Sequence, residues 1–259
     1  MPRAPVPGFT DLRRRIRAGE TLFGSFVILG SPIAAELLAR VGFDWLIIDL
    51  EHGSGTETEL LASLLAVSTT PTTPLVRPQS AERLRIGRAL DHGAHGLMIP
   101  RVDVPAQAQE AISFMRFPPD GVRGLALSTR GAGLGERTYA DVRGINEHIV
   151  GIIQIESPSA VEHASDIAAI DGADVLFVGP ADLSHGLGIP GQFDHPTYLA
   201  ALDRVVAAAE RHGKATGILL RDETALPRHL ELGFRFIGLG SDAAFIADGA
   251  RAVIRATRA

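Results

Sequence analysis

The sequence predicts a (β/α)8 barrel, on three observations. Short apolar runs rich in β-branched residues alternate with longer amphipathic stretches along the 259 residues. Eight such runs occur, which suits barrel closure better than the five or six strands of a doubly wound sheet. No GxGxxG follows the first run, as a dinucleotide-binding sheet would require. The predicted strands are 23–29, 45–51, 74–77, 96–101, 151–156, 174–179, 215–220 and 236–240. Helical patterns fall between them, among them 32–41, 57–67, 81–91, 106–115, 160–170 and 198–211. In the last of these, Leu199, Leu202, Val205, Val206 and Ala209 recur at the spacing of one buried helical face. Gly42, Gly93, Gly172, Gly213 and Gly233 stand where left-handed C-terminal caps belong. No linker interrupts the pattern, so residues 1–259 read as one barrel domain.

Composition excludes several classes. With 46% hydrophobic residues the chain is not disordered in general, and a net charge of −5 with intermixed signs leaves no electrostatic footprint for nucleic acid. The absence of Cys removes disulfides, thiolate metal sites, Cys nucleophiles and CxxC redox chemistry, and suits a reducing, cytoplasmic setting. Residues 1–20 carry Arg13, Arg14, Arg15 and Arg17 without the apolar stretch of a signal peptide; these arginines read as the solvated face of a short first helix. Apolar runs fall far short of the ~20 residues that span a bilayer, so no membrane partner is expected. Of the 25 basic side chains only Lys214 is a lysine, and it begins a strand rather than ending one. Schiff-base chemistry is therefore disfavoured, and carbonyl chemistry here would use a metal.

The stretch 117–138 is the one long interruption, rich in Gly and Pro and studded with Arg123, Arg130 and Arg137. It is expected to cover the barrel mouth, to meet a neighbouring subunit, or to be a surface excursion.

Charged residues at the C-terminal ends of buried strands need a reason, and in this fold that rim carries the active site. The second strand ends Asp49-Leu50-Glu51-His52, the third Arg77-Pro78, the fifth Gln154-Ile155-Glu156, and the sixth runs into Gly179-Pro180-Ala181-Asp182. Glu156 and Asp182 offer hard oxygen donors for Mg2+ or Mn2+, with water and substrate completing the octahedron; a capping role or an ion pair with Arg77 is the alternative. Pleating sets Gln154 on the same face as Glu156. His52 is the candidate proton-transfer group, and the remaining histidines read as solvated or locally hydrogen-bonded. Arg77 can oppose an oxyanion or grip a carboxylate, with Asp49 and Glu51 available to orient His52 or to bond Arg77. The turn at Ala181 and Asp182 adds backbone N–H groups suited to a carboxylate. Gly238-Leu239-Gly240 has no basic neighbour and reads as a tight turn, not a phosphate site.

These segments, together with Phe117-Pro118-Pro119-Asp120-Gly121-Val122-Arg123-Gly124, resemble the HpcH/HpaI family of metal-dependent (class II) pyruvate aldolases, in family order from about Gly24 to the C-terminal helix. The resemblance implies that Glu156 and Asp182 bind a divalent metal (Mg2+, Mn2+ or Co2+) and that His52 is the acid/base. It implies that Arg77 stabilises the enolate, and that Asp91, contributed by a neighbouring subunit, makes His52 more basic. Gln154 and the backbone of Ala181 and Asp182 would contact the pyruvate unit. It also implies a homohexamer with the last helix exchanged between subunits. Two segments depart from the pattern, at Leu50 and over Ser128–Gly133, and these bear on the aldehyde partner. The expected reaction is reversible cleavage of a 4-hydroxy-2-oxo acid to pyruvate and an aldehyde. Oxaloacetate decarboxylation or CoA-thioester cleavage at the same site, and a non-enzymatic scaffold, are the alternatives.

Overall fold

The computed structural model describes residues 9–258; residues 1–8, part of the stretch read for a targeting signal, lie outside the described residues. Helix α1 (Leu12–Arg17) precedes β1 (Leu22–Val27), α2 (Pro32–Val41), β2 (Trp45–Asp49), α3 (Glu57–Val67), β3 (Thr73–Arg77), α4 (Arg83–Asp91), β4 (Gly96–Ile99) and α5 (Pro105–Met115). Then come α6 (Val142–Ile145), β5 (Val150–Ile155), α7 (Pro158–Glu162), α8 (Ala164–Ala168), β6 (Val175–Val178), α9 (Pro180–Gly186), α10 (Pro196–Arg211), β7 (Ala215–Leu220), α11 (Leu226–Glu231), β8 (Phe236–Ser241) and α12 (Asp242–Arg258). Each strand runs parallel to its neighbours in chain order, and β8 pairs with β1 to close the barrel. The expected fold is the observed one.

Local chemistry sets the element ends. Ser31 accepts the Ala34 N–H to start α2, with Pro32 in the first turn, and Gly42 at φ 109° ends it. Thr56 and Glu59 form a capping box on α3. The predicted helix 160–170 is instead two short helices, broken at His163, whose Nδ1 lies 2.9 Å from the Ser159 carbonyl oxygen.

Strand pleating divides the core into two layers. Ile47, Leu75, Met98, Ile152, Val175 and Phe177 fill the barrel interior, while Ile48, Val76, Leu97, Ile99, Ile153 and Val178 face the helices. Trp45 stacks on Phe236 at the base, with ring centroids 4.2 Å apart. A Cβ on Gly24 would come within 2.0 Å of the indole, so only glycine fits there.

Helix α1 closes the N-terminal end of the barrel with Leu12 and Ile16, both packed into the interior cluster. It corrects one expectation: Arg13 is 5% exposed, not solvated. Its Nε donates to both Asp174 oxygens at 3.0 and 2.9 Å, and Nη1 donates to the Asn146 carbonyl at 2.6 Å. Asp174 also accepts the Gly151 N–H. A buried cation needs such partners, and a six-residue helix spacing supplied no sign of them.

The 117–138 stretch does not cover this chain's mouth. It leaves α5 and leads to β5, so it belongs at the N-terminal end of the barrel, opposite the rim that follows the strands. There Arg130 donates to Ser68, Gly131 packs against the Leu90 carbonyl, and Arg123 pairs with Asp91 at 3.1 Å.

Removing Asp174 strands the Arg13 charge in the core. Asp174→Ala should lose about 3–5 kcal/mol of unfolding free energy in denaturant titrations. Arg14→Ala, whose pair with Asp11 is exposed, should change it by less than about 0.5 kcal/mol.

Candidate active site

The interior parity of the strands continues past the apolar layers to the C-terminal rim. Asp49 follows Trp45 and Ile47, Arg77 follows Leu75, and Gln154 and Glu156 follow Ile152. Four of the polar side chains singled out from sequence therefore converge at one mouth. The β2–α3 loop carries His52 and is pinned to β1 where the Ser54 N–H donates to the Ile28 carbonyl at 2.7 Å. A Cβ on Gly53 would meet the Asp49 carbonyl oxygen at 2.0 Å, so this turn is closed around glycine.

Arg77 is the fixed centre of the site. Its Nε and Nη2 grip Asp49 Oδ1 and Oδ2 at 2.9 and 2.6 Å, a bidentate fork. Nη1 lies 3.2 Å from Glu51 Oε2 and donates to Gln154 Oε1 at 3.4 Å. The Phe26 ring lies beneath the guanidinium at 5.3 Å. Burial opposes the Arg77 charge, but the Asp49 hydrogen bonds and the charges of Asp49, Glu51 and Glu156 outweigh it and raise its pKa. The ion pair considered between Arg77 and Glu156 or Asp182 does not form; Arg77 belongs to Asp49 and Glu51.

Asp49 also accepts the N–H groups of Glu51 and His52 through Oδ1, at 3.0 and 3.3 Å. It thus holds the His52 backbone, while the carboxylate nearest the His52 ring is Glu51, with Oε2 3.9 Å from Nε2. That Glu51 oxygen is buried and makes no hydrogen bond. Burial raises the Glu51 pKa, Arg77 and His52 oppose this, and Asp49 and Asp182 add to it. The His52 side chain itself is 65% exposed, open to a ligand in the mouth.

Glu156 is 5% exposed. Its Oε1 accepts the Arg101 backbone N–H and its Oε2 the Gln154 amide, both at 2.8 Å. Burial raises its pKa; the Arg101 N–H opposes this, and the negative charges of Glu51 and Asp182 reinforce it. Gly179 makes room: a Cβ there would stand 2.9 Å from Glu156 Oε2. Asp182 lies exposed in the first turn of α9, beside Ala181, where helix geometry leaves backbone N–H groups without intrahelical acceptors.

Asp91 is not brought to His52 within the chain. It ends α4, at the opposite end of the barrel, paired with buried Arg123. Lys214 is also remote from the rim, donating to the Ile170 carbonyl at 3.2 Å as β7 begins. Several other histidines are locally bonded as expected, His163 and His229 to backbone carbonyls and His195 as the cap of α10. One rim residue escaped the sequence reading: Arg101, just past β4. The strand-end rule that selected Arg77 and Glu156 would have found it.

A closed parallel barrel with a mouth lined by a locked arginine, an open histidine and converging carboxylates defines a barrel of the enzyme type, with its site at the C-terminal rim. Residues 22–248 match the family model described as HpcH/HpaI aldolase/citrate lyase, and the chain belongs to that family. It is 38% identical over 258 residues to a hydroxypyruvate/pyruvate aldolase of Paraburkholderia phytofirmans, covering 96% of this chain and 98% of that one. It is 36% identical over 238 residues to a 4-hydroxy-2-oxo-heptane-1,7-dioate aldolase of Salmonella dublin, covering 92% and 90%. Among solved structures, an HpcH/HpaI aldolase/citrate lyase family protein from Burkholderia cenocepacia superposes with TM-score 0.92 and 37% identity, covering 96% of this chain and all of that one.

Members of this family are generally dependent on a divalent metal. Among the described residues no three His, Cys, Asp or Glu side chains form a ready cage. The donor set nevertheless fits a hard cation: Glu156 and Asp182 repel one another electrostatically, and two carboxylates leave positions for water and substrate oxygens.

A carboxyl whose folded pKa lies above its unfolded value binds more protons when folded, so stability falls as pH rises between the two. Burial places Glu51 and Glu156 in that class. In thermal melts of chelator-treated protein, stability should fall as pH climbs above the unfolded carboxyl range near ~4.3. Mn2+ should raise the melting temperature of the parent protein, and Glu156→Gln should flatten the fall with pH and lose most of that rise.

Proposed function

We propose that the protein catalyses reversible aldol cleavage of a 4-hydroxy-2-oxo acid to pyruvate and an aldehyde. The observation that carries this reading is the mouth itself, where Arg77, fixed by Asp49, stands beside an exposed His52 and the Glu156 carboxylate. The relatives named for aldol cleavage support it at 36–39% identity over most of the chain.

Glu156 and Asp182 would hold the divalent cation, and their hard oxygens favour Mg2+ or Mn2+ over softer ions, with Co2+ a further candidate. When bound, the metal supplies Lewis-acid polarisation of the 2-oxo group. The chain's own residues do the rest. Gln154 and the first-turn N–H groups of Ala181 and Asp182 orient the pyruvate unit. His52 accepts the C4 hydroxyl proton as the C3–C4 bond breaks. Arg77, prevented by Asp49 from following the substrate, opposes negative charge as it grows on the 2-oxo oxygen. Preorganisation of this kind costs no reorganisation at the moment of reaction.

Asp91 would act from a neighbouring subunit, raising the basicity of His52 in a homohexamer. Its position far from its own His52 is compatible with that role. Exchange of α12 between subunits would cover Ile246, Val253 and Ile254, which this chain leaves exposed. No helix among the described residues is long and apolar enough to cross a membrane, and the Cys-free composition suits a cytoplasmic enzyme.

His52→Ala should lower kcat for aldol cleavage by ~10²–10⁴-fold while leaving Mn2+ binding intact. Oxaloacetate decarboxylation, which needs no C4 deprotonation, should fall less. Asp182→Ala should lose activity through weakened metal binding and recover in part at high Mn2+, whereas Arg77→Ala should damage both reactions. Steady-state kinetics on the two substrates, with metal titration, check all three; equal losses of both reactions in His52→Ala would overturn the role given to His52.

A further inference from the structure

The order of strands fixes the order of chemistry around the mouth. His52 follows β2, Arg77 ends β3, Arg101 follows β4, Glu156 follows β5 and Asp182 follows β6. Four of these groups are accounted for by the reaction, but the Arg101 side chain is not. It is exposed, and it makes no hydrogen bond or ion pair with any described residue. Its charge acts on Glu156 through space, which keeps the guanidinium within electrostatic reach of the centre.

Arg101 is also held unusually. It has φ 58°, a left-handed conformation that an arginine adopts only at a cost. Strand parity would send it with Leu97 and Ile99 into the layer between strands and helices. The left-handed turn releases it, and Val102, 1% exposed, takes the buried place instead. The Arg101 N–H meanwhile donates to Glu156 Oε1 at 2.8 Å. The backbone is thus pinned from both sides while the cation is turned out to the rim.

Charge accounting indicates what the cation is for. Asp49 and Glu51 are taken by Arg77, and Glu156 and Asp182 by the divalent ion that the proposed reaction requires. Among the described residues the Arg101 side chain, at the β4 rim beside Glu156, pairs with no carboxylate. The pyruvate carboxylate is served on the β5–β6 side, by Gln154 and the start of α9. The sector from β2 to β4 remains for the aldehyde, since its oxygen must reach His52.

We propose that Arg101 is the specificity-determining residue of an anion subsite on the β4 rim, selecting aldehydes that carry a carboxylate. The proposal rests on the aldolase reading above. A guanidinium presents a rigid fork of donors that matches a carboxylate in two hydrogen bonds, which a neutral aldehyde tail cannot return. The contact lies on the solvent-exposed rim, so its contribution is screened by salt.

The test is aldol addition of pyruvate, with saturating Mn2+, to two four-carbon aldehydes that differ in terminal charge, succinic semialdehyde and butanal. The parent protein should favour the anionic aldehyde by at least about tenfold in kcat/KM, and this preference should shrink as ionic strength rises. Arg101→Ala should lose about tenfold or more of that preference, mainly through KM for the anionic aldehyde, and Arg101→Lys should keep part of it. Both variants retain the backbone N–H that Glu156 accepts. Equal losses on the two aldehydes in Arg101→Ala would mean that the side chain only tunes Glu156, and would overturn the subsite. So would a parent protein that uses both aldehydes without preference. A parent protein that adds pyruvate to neither overturns the aldolase reading, and the subsite with it.

Discussion

A barrel strand is buried on both faces, so every second residue must be accommodated in the interior until the chain leaves the barrel. This constraint governs the molecule. In the lower layers it is met by Leu12, Trp45, Leu75, Ile152 and Phe236, whose packing fills the space that a larger barrel would leave as a pore. At the top the same parity presents Asp49, Arg77, Gln154 and Glu156. Those side chains have no freedom to point elsewhere, because a shift of one residue would also turn the apolar layers below them inside out. The site inherits its precision from the core.

Holding charge at such a place requires compensation, and the compensation is uneven. Asp49 is 2% exposed and fully engaged, by both arms of the Arg77 fork and by two backbone N–H groups. Glu51 and Glu156 are less well matched: burial first, and then neighbouring carboxylates (Asp49 and Asp182 for Glu51, Glu51 and Asp182 for Glu156), hold both pKa values up. The rim is therefore rigid around Arg77 and electrostatically hungry around Glu156 and Asp182. A divalent cation would relieve the second condition without disturbing the first.

The parts of this arrangement that follow from strand pattern were legible in the sequence. All eight strands, and the strand-end residues Asp49, Arg77, Gln154 and Glu156, could be read from alternation and from charge at the end of an apolar run. What could not be read depends on forces without a local period. Arg13 looks like one arginine among four on a surface helix, and only the fold brings Asp174, 161 residues away, to pair with it. The helix 160–170 carries no Gly or Pro, so its break at His163 had no sequence signal. The 117–138 stretch advertised itself by Gly and Pro, but its placement follows from connectivity: a segment that leaves a helix for a strand lies below the barrel. Arg101 ends the predicted strand 96–101 and so met the strand-end rule; only its orientation was hidden. A left-handed residue is expected to be Gly or Asn, and nothing in Ile99-Pro100-Arg101-Val102 announces a turn that re-aims an arginine.

The same division separates what the reaction needs from what its partner needs. Residues fixed by strand parity handle the common half of the chemistry, a 2-oxo acid whose charge and proton must be met at set positions. Residues just beyond the strands, on segments free of the barrel's packing, face the half that differs from one aldehyde to another. Altering a loop residue leaves the interior layers in place, whereas altering a strand-end residue disturbs ion pairs on which the rim is built. Arg101 stands on the boundary. Its backbone is tied to Glu156 and its guanidinium is tied to nothing in the rim, so the centre gains a fixed hydrogen bond while the side chain stays available. A residue with the backbone obligation of a strand end and the side-chain liberty of a loop is where selectivity can change without loss of the reaction.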